Sequence, residues 1–416
     1  MREFAVLDVR LYGRPIGTLT RLPGDQVLFA FNEGYIADRH RPTLSLSFKD
    51  IRGGLITDAR PTQTRLPPFF ANLLPEPGPM RDLLAARANV KPEREFFLIA
   101  VLGRDLSGAL EIQPASGVMP RDDAAVVVEQ STADARPPEP LRFSLAGVQL
   151  KFSAVRSAAG GLTIPANGVG GSWIVKLPSS RYPEVPENEF AMMELARRVG
   201  IAVPETSLIP VSRISGLPAE VTLLGERAFV IRRFDRPSVG GAIQIEDFAQ
   251  VFGVYPEEKY GRPGQRASYR NIVEVLWAET GEAGVAEFVR RLVFNVLIGN
   301  ADMHLKNWSL IYPYRRTPEL SPAYDFVSTV ASIPDDKLAL TFVDSREFAS
   351  VTVEQFERFA MKARLPAKLT LDTVRETVAR FAGVWNKSGS REIPERVRQA
   401  IREHLTKVPL WSEMRG

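Results

Sequence analysis

A chain of 416 residues with 44% hydrophobic and 25% charged residues can bury a sizeable core and is long enough for two or three domains. Its 53 Lys and Arg against 49 Asp and Glu give a net charge of +4, compatible with an anionic partner and equally with none. The absence of cysteine excludes disulfides, thiolate nucleophiles and cysteine-ligated metals, and His40, His304 and His404 are too few for a histidine-rich zinc site.

The first residues, "MREFAVLDVRLYG", alternate like a strand and carry charges among the apolar positions, unlike a secretory leader. With "QVLFAFNEGYI" they predict strands joined by glycine-containing turns, followed by helices over "MRDLLAARANV" and "EREFFLIAVLG", the latter just after Pro92. The apolar run "FFLIAVLG" is too short to span a bilayer, so the expectation is a soluble cytoplasmic protein with no membrane partner. Residues 1–113 make the first block. Residues 114–140, with five prolines, read as a connector containing one short strand at "AAVVVEQ".

A second block, 141–240, opens on "FSLAGVQLKFSAV", with Val148, Leu150 and Phe152 alternating. A glycine-rich turn, "AAGGLTIPANGVGG", a strand "SWIVKLP", a helix "ENEFAMMELARRVGI" and a strand "RAFVIRRFDR" follow. This order predicts a small β-rich lobe carrying one helix. Over 241–416 helices dominate: "IEDFAQVFG", "YRNIVEVLWAE", "GVAEFVRRLVFNVLI", "TVEQFERFAMKAR", "LDTVRETVARFAGVW" and "IPERVRQAIREHL". Between the third and fourth, "WSLIY" and "LSPAYDFVST" leave room for a hairpin. The expected class is α+β.

The chemistry-bearing stretch is "NADMHLKNW", residues 300–308, directly after the apolar run "FVRRLVFNVLIG". Phosphoryl transfer needs a carboxylate to orient the acceptor hydroxyl and oxygen ligands for Mg²⁺. Asp302 and Asn307 stand five apart in that sense, with Lys306 beside them to offset phosphate charge. Asp325 follows eighteen residues after Asn307. A hairpin between them would let both hold one metal, although Asp325 also reads as a loop residue or helix N-cap.

Lys176, ending the strand "SWIVK", could meet the α- and β-phosphates or simply reach solvent. Its candidate partner is Glu189, preferred over Glu194, with first-turn dipole compensation as the other reading of Glu189. In "FSLAGVQLKF", with Ser144, Gly147, Gln149 and Lys151, small residues at 144, 146 and 147 would let backbone amides approach a phosphate, or mark a bulge. No Walker A or GxGxxG pattern is present.

In "RLYGRPIGTL", "NLLPEPGPMRDLLAAR", "EREFFLIAVLGRDLSGAL", "FSLAGVQLKF", "WIVKLPSS", "ENEFAMMELARRVGI", "VIRRFDRP" and "IGNADMHLKNWSL…LSPAYDFVS" the chain resembles the HipA kinases, toxins of HipBA-type toxin–antitoxin modules. The resemblance implies a two-lobed protein-kinase-like fold with an added N-terminal subdomain, and a serine/threonine kinase using ATP and Mg²⁺. By position Asp302 matches the catalytic base, His304 and Lys306 active-loop residues, Asn307 and Asp325 the metal ligands, and Lys176 the phosphate-binding lysine. Ser144 matches a serine that such kinases autophosphorylate; Ser144, Gly147, Gln149 and Lys151 match the nucleotide loop, and Arg232 and Phe234 the adenine hinge. The chain departs from the pattern at "YDFVS", which lacks a glycine after its acid, and at Arg232, where the best-known member has an acid.

The family's partners are a HipB-like helix-turn-helix antitoxin and, through that complex, operator DNA. Its substrates are aminoacyl-tRNA synthetases, glutamyl-tRNA synthetase foremost. The rival expectation is a non-catalytic co-repressor whose basic stretches "RPGQRASYR" and "PYRRTP" touch DNA, unless these are solvated turns. A small-molecule phosphotransferase is the third.

Overall fold

The computed structural model describes residues 5–58, 60–117, 119–120, 150–156, 161–165, 170–178, 184–217, 225–262, 267–333, 336–386 and 393–414. In chain order the strands are β1 (Val6–Leu11), β2 (Arg14–Leu22), β3 (Gln26–Phe31), β4 (Thr62–Gln63), β5 (Leu110–Pro114), β6 (Lys151–Arg156), β7 (Leu162–Thr163), β8 (Trp173–Lys176), β9 (Thr206–Pro210), β10 (Ile214–Ser215), β11 (Arg227–Arg232), β12 (Ile245–Asp247), β13 (Ser309–Ile311) and β14 (Glu319–Leu320). The helices are α1 (Glu33–Ala37), α2 (Pro68–Ala71), α3 (Pro79–Arg87), α4 (Glu95–Leu102), α5 (Val185–Val199), α6 (Phe248–Val251), α7 (Tyr269–Ile298), α8 (Val353–Lys362), α9 (Ala367–Trp385), α10 (Glu395–Leu405) and α11 (Pro409–Glu413). The class is α+β.

The chain divides into two compact units. The first comprises Met1–Lys176, Ser212–Thr222 and Asp235–Pro256; the second comprises Leu177–Val211, Leu223–Phe234 and Glu257–Gly416. In the first unit an antiparallel sheet runs β4-β3-β2-β1-β5. Strict alternation makes it one-sided: Leu7, Val9 and Leu11 are buried while Asp8 and Arg10 are half-buried. Against it packs Phe70 of α2, with Phe29 and Phe70 ring centroids 4.7 Å apart, and α4 is buried along its whole length.

The same unit holds β6 paired antiparallel with β8, in a register that sets Lys151 opposite Lys176. A buried carboxylate ties the residues just before β5 to this second sheet. Asp105 accepts from the Arg236 guanidinium at 3.0 Å, from Ser153 Oγ of β6 at 3.3 Å and from the Gly170 amide at 3.4 Å. A buried charge with several donors is satisfied, so strand β6 and the 1–113 block are pinned together.

In the second unit β11 and β9 pair antiparallel, and α5 lies beside both strands. β9 was not expected, because "TSLIP" is half-exposed throughout and ends in proline, which weakens any strand signal. The helical body forms around α7, which packs on α9. Phe288 of α7 meets Trp308 at 4.6 Å, and Phe294 meets Phe326 at 5.0 Å. β13 and β14 form the hairpin, with Leu310 opposite Leu320.

Two helix readings change in detail. The two segments "YRNIVEVLWAE" and "GVAEFVRRLVFNVLI" join in α7, broken at Gly281 (φ 64°, ψ −153°). "IEDFAQVFG" begins as strand β12, and only one turn, α6, follows. That turn is closed by a capping box between Asp247 and Gln250, and Gln250 Nε2 also donates to the Phe69 carbonyl at 3.0 Å.

The Gly281 break predicts a backbone cost rather than a clash, since nothing lies within 4 Å of where a Cβ would sit. Gly281→Ala should lower the unfolding free energy by about 1–3 kcal/mol, because that region of φ/ψ belongs to glycine. Chemical denaturation with an unchanged midpoint would count against the break.

Candidate active site

Helix α7 ends inside the core, with Val296, Leu297 and Ile298 all buried. Its terminal carbonyls are met by a Schellman-type turn: the Gly299 amide donates to Val296 O at 3.3 Å and the Asn300 amide to Asn295 O at 2.9 Å. Gly299 must be glycine on two counts. Its φ is +64°, and a Cβ would lie 2.4 Å from the Val330 side chain. The Gly299 carbonyl then accepts from the Thr329 and Val330 amides and from Thr329 Oγ1, and that hydroxyl accepts the Ala301 amide at 2.9 Å.

The next residues are fixed as tightly. Buried Asn300 accepts the Asp302 amide on Oδ1 at 3.0 Å, and donates from Nδ2 to Asn295 Oδ1 at 2.8 Å and to the Asp325 carbonyl at 3.4 Å. The Asp302 carbonyl takes the His304 amide at 2.8 Å and Asn307 Nδ2 at 2.7 Å. The backbone around Asp302 is therefore immobilised while its side chain remains about half exposed, at 52%. Tyr260 donates its phenol to Asp302 Oδ1 at 2.6 Å.

The hairpin delivers Asp325 to the same neighbourhood. Tyr324, preceding it, donates to the Lys306 carbonyl at 2.9 Å and shares a hydrogen bond with Ser309 Oγ. Asp325 itself is left-handed, with φ 57°, an uncommon conformation for a residue with a Cβ. Beyond it Asn188 of α5 clamps Ser328 from both sides, accepting its amide and donating to its carbonyl, each at 3.0 Å. These bonds hold Asp325 in a conformation that would otherwise relax, at a cost of about 1–3 kcal/mol. Asp325 is no helix cap; Ser328 holds that position before a short 3₁₀ turn.

His304 sits buried, with Nδ1 unpartnered and Nε2 3.9 Å from Asp302 Oδ1. Burial pushes its pKa well below the usual 6.5; the ammonium groups of Lys259 and Lys306 push the same way, and the Asp325 carboxylate opposes them. The imidazole is neutral at pH 7, among two buried lysines and two aspartates.

The donor set can be tested against a metal. Asn307 spends its Nδ2 on the Asp302 carbonyl, which leaves Oδ1 as the amide's acceptor. With the Asp325 carboxylate this makes two hard oxygen donors, the kind that Mg²⁺ takes while keeping waters and substrate phosphates. Among the described residues no group of three or more His, Cys, Asp or Glu could hold an ion alone.

The other predicted residues fall elsewhere. Arg232 ends β11, where its amide donates to Glu205 O at 2.9 Å, and the Phe234 ring lies 5.9 Å from that of Tyr324. Lys176 and Lys151 belong to the first unit, Lys176 buried. Glu189 is buried in the second turn of α5, which starts at Val185, so Glu187 is the acid of the first turn. Glu194 accepts from Thr206 and Arg197. Ser144, Gly147 and Gln149, like the "AAVVVEQ" stretch, lie outside the described residues. Sequence reasoning missed Tyr260, Asn188, Tyr324 and Thr329.

Among known proteins, the model of the HipA N-terminal domain matches residues 7–113, and that of the HipA-like C-terminal domain matches 143–385. The chain belongs to the HipA family. It is 54% identical to the kinase-named Y4dM of Sinorhizobium fredii over 99% of each chain. It is 32% identical to a second such protein of that organism, Y4mE, over 90% of this chain and 91% of the other. With the serine/threonine-protein kinase toxin HipA of Shewanella oneidensis it shares 25% identity over 86% of this chain and 81% of that one.

A solved structure of Shewanella oneidensis HipA with HipB and its operator DNA superposes with a TM-score of 0.72, at 21% identity, covering 98% of this chain and 96% of that one. The fold is thus HipA-like, and kinase chemistry, with the ATP and divalent metal that kinases use, is the family's. Among the described residues no helix is long and apolar enough to cross a membrane.

The buried imidazole carries a pH signature. Native His304 resists a proton that the unfolded chain takes near pH 6.5, so its contribution to stability is complete above 6.5 and lost as the pH falls towards the lowered native value. Buried His404, also shifted downward by burial, adds in the same sense. His304→Gln should flatten the fall of unfolding free energy between pH 6.5 and 5 by up to about 1.4 kcal/mol per pH unit. Denaturation curves with equal slopes for variant and parent would contradict a neutral buried imidazole.

Proposed function

We propose that this HipA-family chain is a cytoplasmic serine/threonine protein kinase that uses ATP with Mg²⁺ and forms the toxin half of a HipBA-type module. The observation that carries the proposal is the Asp302 carboxylate. It is half exposed on a loop whose backbone is fixed by Asn300, Asn307 and Thr329, next to Asn307 and the left-handed Asp325.

In this reading Asp302 accepts the proton of an acceptor serine as its oxygen bonds to the γ-phosphorus, the bond to the β-phosphate oxygen breaks, and ADP leaves. Asn307 and Asp325 would hold Mg²⁺, which would supply positive charge to offset that of the phosphates. Lys306 adds a fixed positive charge on the loop, and His304, kept neutral near the ammonium groups of Lys259 and Lys306, adds no third cation. Lys176 would take the α- and β-phosphates, Arg232 and Phe234 would flank adenine, and Gly147, Gln149 and Lys151 would serve as the phosphate loop.

Ser144 in that loop is the proposed autophosphorylation site, where a charge of about −1.5 to −2 would oppose a second anion. The proposed substrate is an aminoacyl-tRNA synthetase, glutamyl-tRNA synthetase first, so that blocked charging arrests translation and growth. A HipB-like helix-turn-helix antitoxin is the proposed partner, bringing the complex to operator DNA. The likeness to the Shewanella oneidensis toxin and its solved complex supports this partner class.

Phosphoproteomics after brief induction tests the reading. Wild type should add serine phosphates to a synthetase and to Ser144, and Asp302→Asn should reduce transfer by about 10²–10⁴-fold. The same phosphosites from both chains, or none from either, would overturn it.

A further inference from the structure

Tyr260 lies far upstream of the catalytic loop in sequence, yet its phenol donates to Asp302 Oδ1 at 2.6 Å. Backbone bonds hold it there independently of the side chain. The Lys259 carbonyl accepts the Leu305 amide at 3.1 Å, tying this segment to the loop, and the Tyr260 carbonyl accepts from the Arg346 guanidinium at 2.6 Å. The Tyr260 ring stands edge-on to the His304 imidazole, with centroids 5.1 Å apart, and His304 Nε2 is 3.9 Å from the same Asp302 oxygen.

The tyrosine is 40% exposed, so it contributes little to the core; what it adds is a directed O–H. A half-exposed aspartate samples several rotamers, and a charge-assisted hydrogen bond selects one. A carboxylate offers about four acceptor positions, more than one phenol occupies.

We propose that Tyr260 is a positioning residue for phosphoryl transfer: its hydroxyl, on a strapped segment, holds the Asp302 carboxylate in the orientation that receives the acceptor's proton. The inference rests on Asp302 as the base. Tyr260→Phe keeps the ring and its contact with His304 and removes the hydroxyl that donates to Asp302.

The test is a double-mutant cycle on the full chain with γ-labelled ATP and purified glutamyl-tRNA synthetase, read as kcat and KM for ATP. Tyr260→Phe should lower kcat about tenfold or more, since a small misplacement of a reacting group costs up to about 10²-fold, with KM for ATP and the thermal midpoint unchanged. In an Asp302→Asn background it should add nothing, because the residue it serves is gone. Unchanged kcat in Tyr260→Phe alongside an inactive Asp302→Asn overturns the proposal and leaves the kinase reading standing; so does the same factor lost in both backgrounds. Full activity in Asp302→Asn overturns both.

Discussion

A helix that ends inside a core must find partners for its last carbonyls, and the solution found by α7 builds the candidate site. Gly299 turns left-handed, Asn295 and Val296 are satisfied by the turn, and the Gly299 carbonyl collects three donors from residues 329 and 330. An unsatisfied buried carbonyl would cost about 1–3 kcal/mol, so these bonds are close to obligatory. Because one partner lies after Asp325 and the other before Asp302, satisfying the helix end also sets the two carboxylates near one another. The geometry of the loop follows from a backbone constraint before any ligand is considered.

Electrostatics then shape what the loop can hold. Lys259 and Lys306 are both buried close to His304, which also feels the Asp325 carboxylate and lies 3.9 Å from an Asp302 oxygen. A third positive charge there would be expensive, and burial keeps the imidazole uncharged. The arrangement leaves fixed positive charge and oxygen donors beside a neutral imidazole, which suits a polyanionic nucleotide and a hard cation.

How much could be read from the chain follows from the range of each signal. Short-range patterns carried far: the apolar run ending at Gly299, the Asp302-to-Asn307 spacing, the hairpin before Asp325 and the helix after Pro92 are each written within a few residues. The α+β class and the family followed from many such stretches in order. What stayed hidden acts across the chain. Tyr260 and Asn188 carry no local mark, and their roles exist only once the fold brings them to Asp302 and Ser328. Glu189 reads as a helix start because Glu184, in a left-handed cap, conceals a beginning one turn earlier. Strand β9 has no apolar face of its own and exists through its pairing with β11.

The central claim is that Asn307 and Asp325, fixed by this backbone, make a metal–nucleotide site. Calorimetric titration of ATP into the full chain, with and without Mg²⁺, measures it directly. The account predicts that Mg²⁺ tightens ATP binding in the wild type and that Asn307→Ala with Asp325→Asn removes that gain. Equal ATP affinity with and without Mg²⁺ in the wild type, or a Mg²⁺ gain that survives both substitutions, would contradict it.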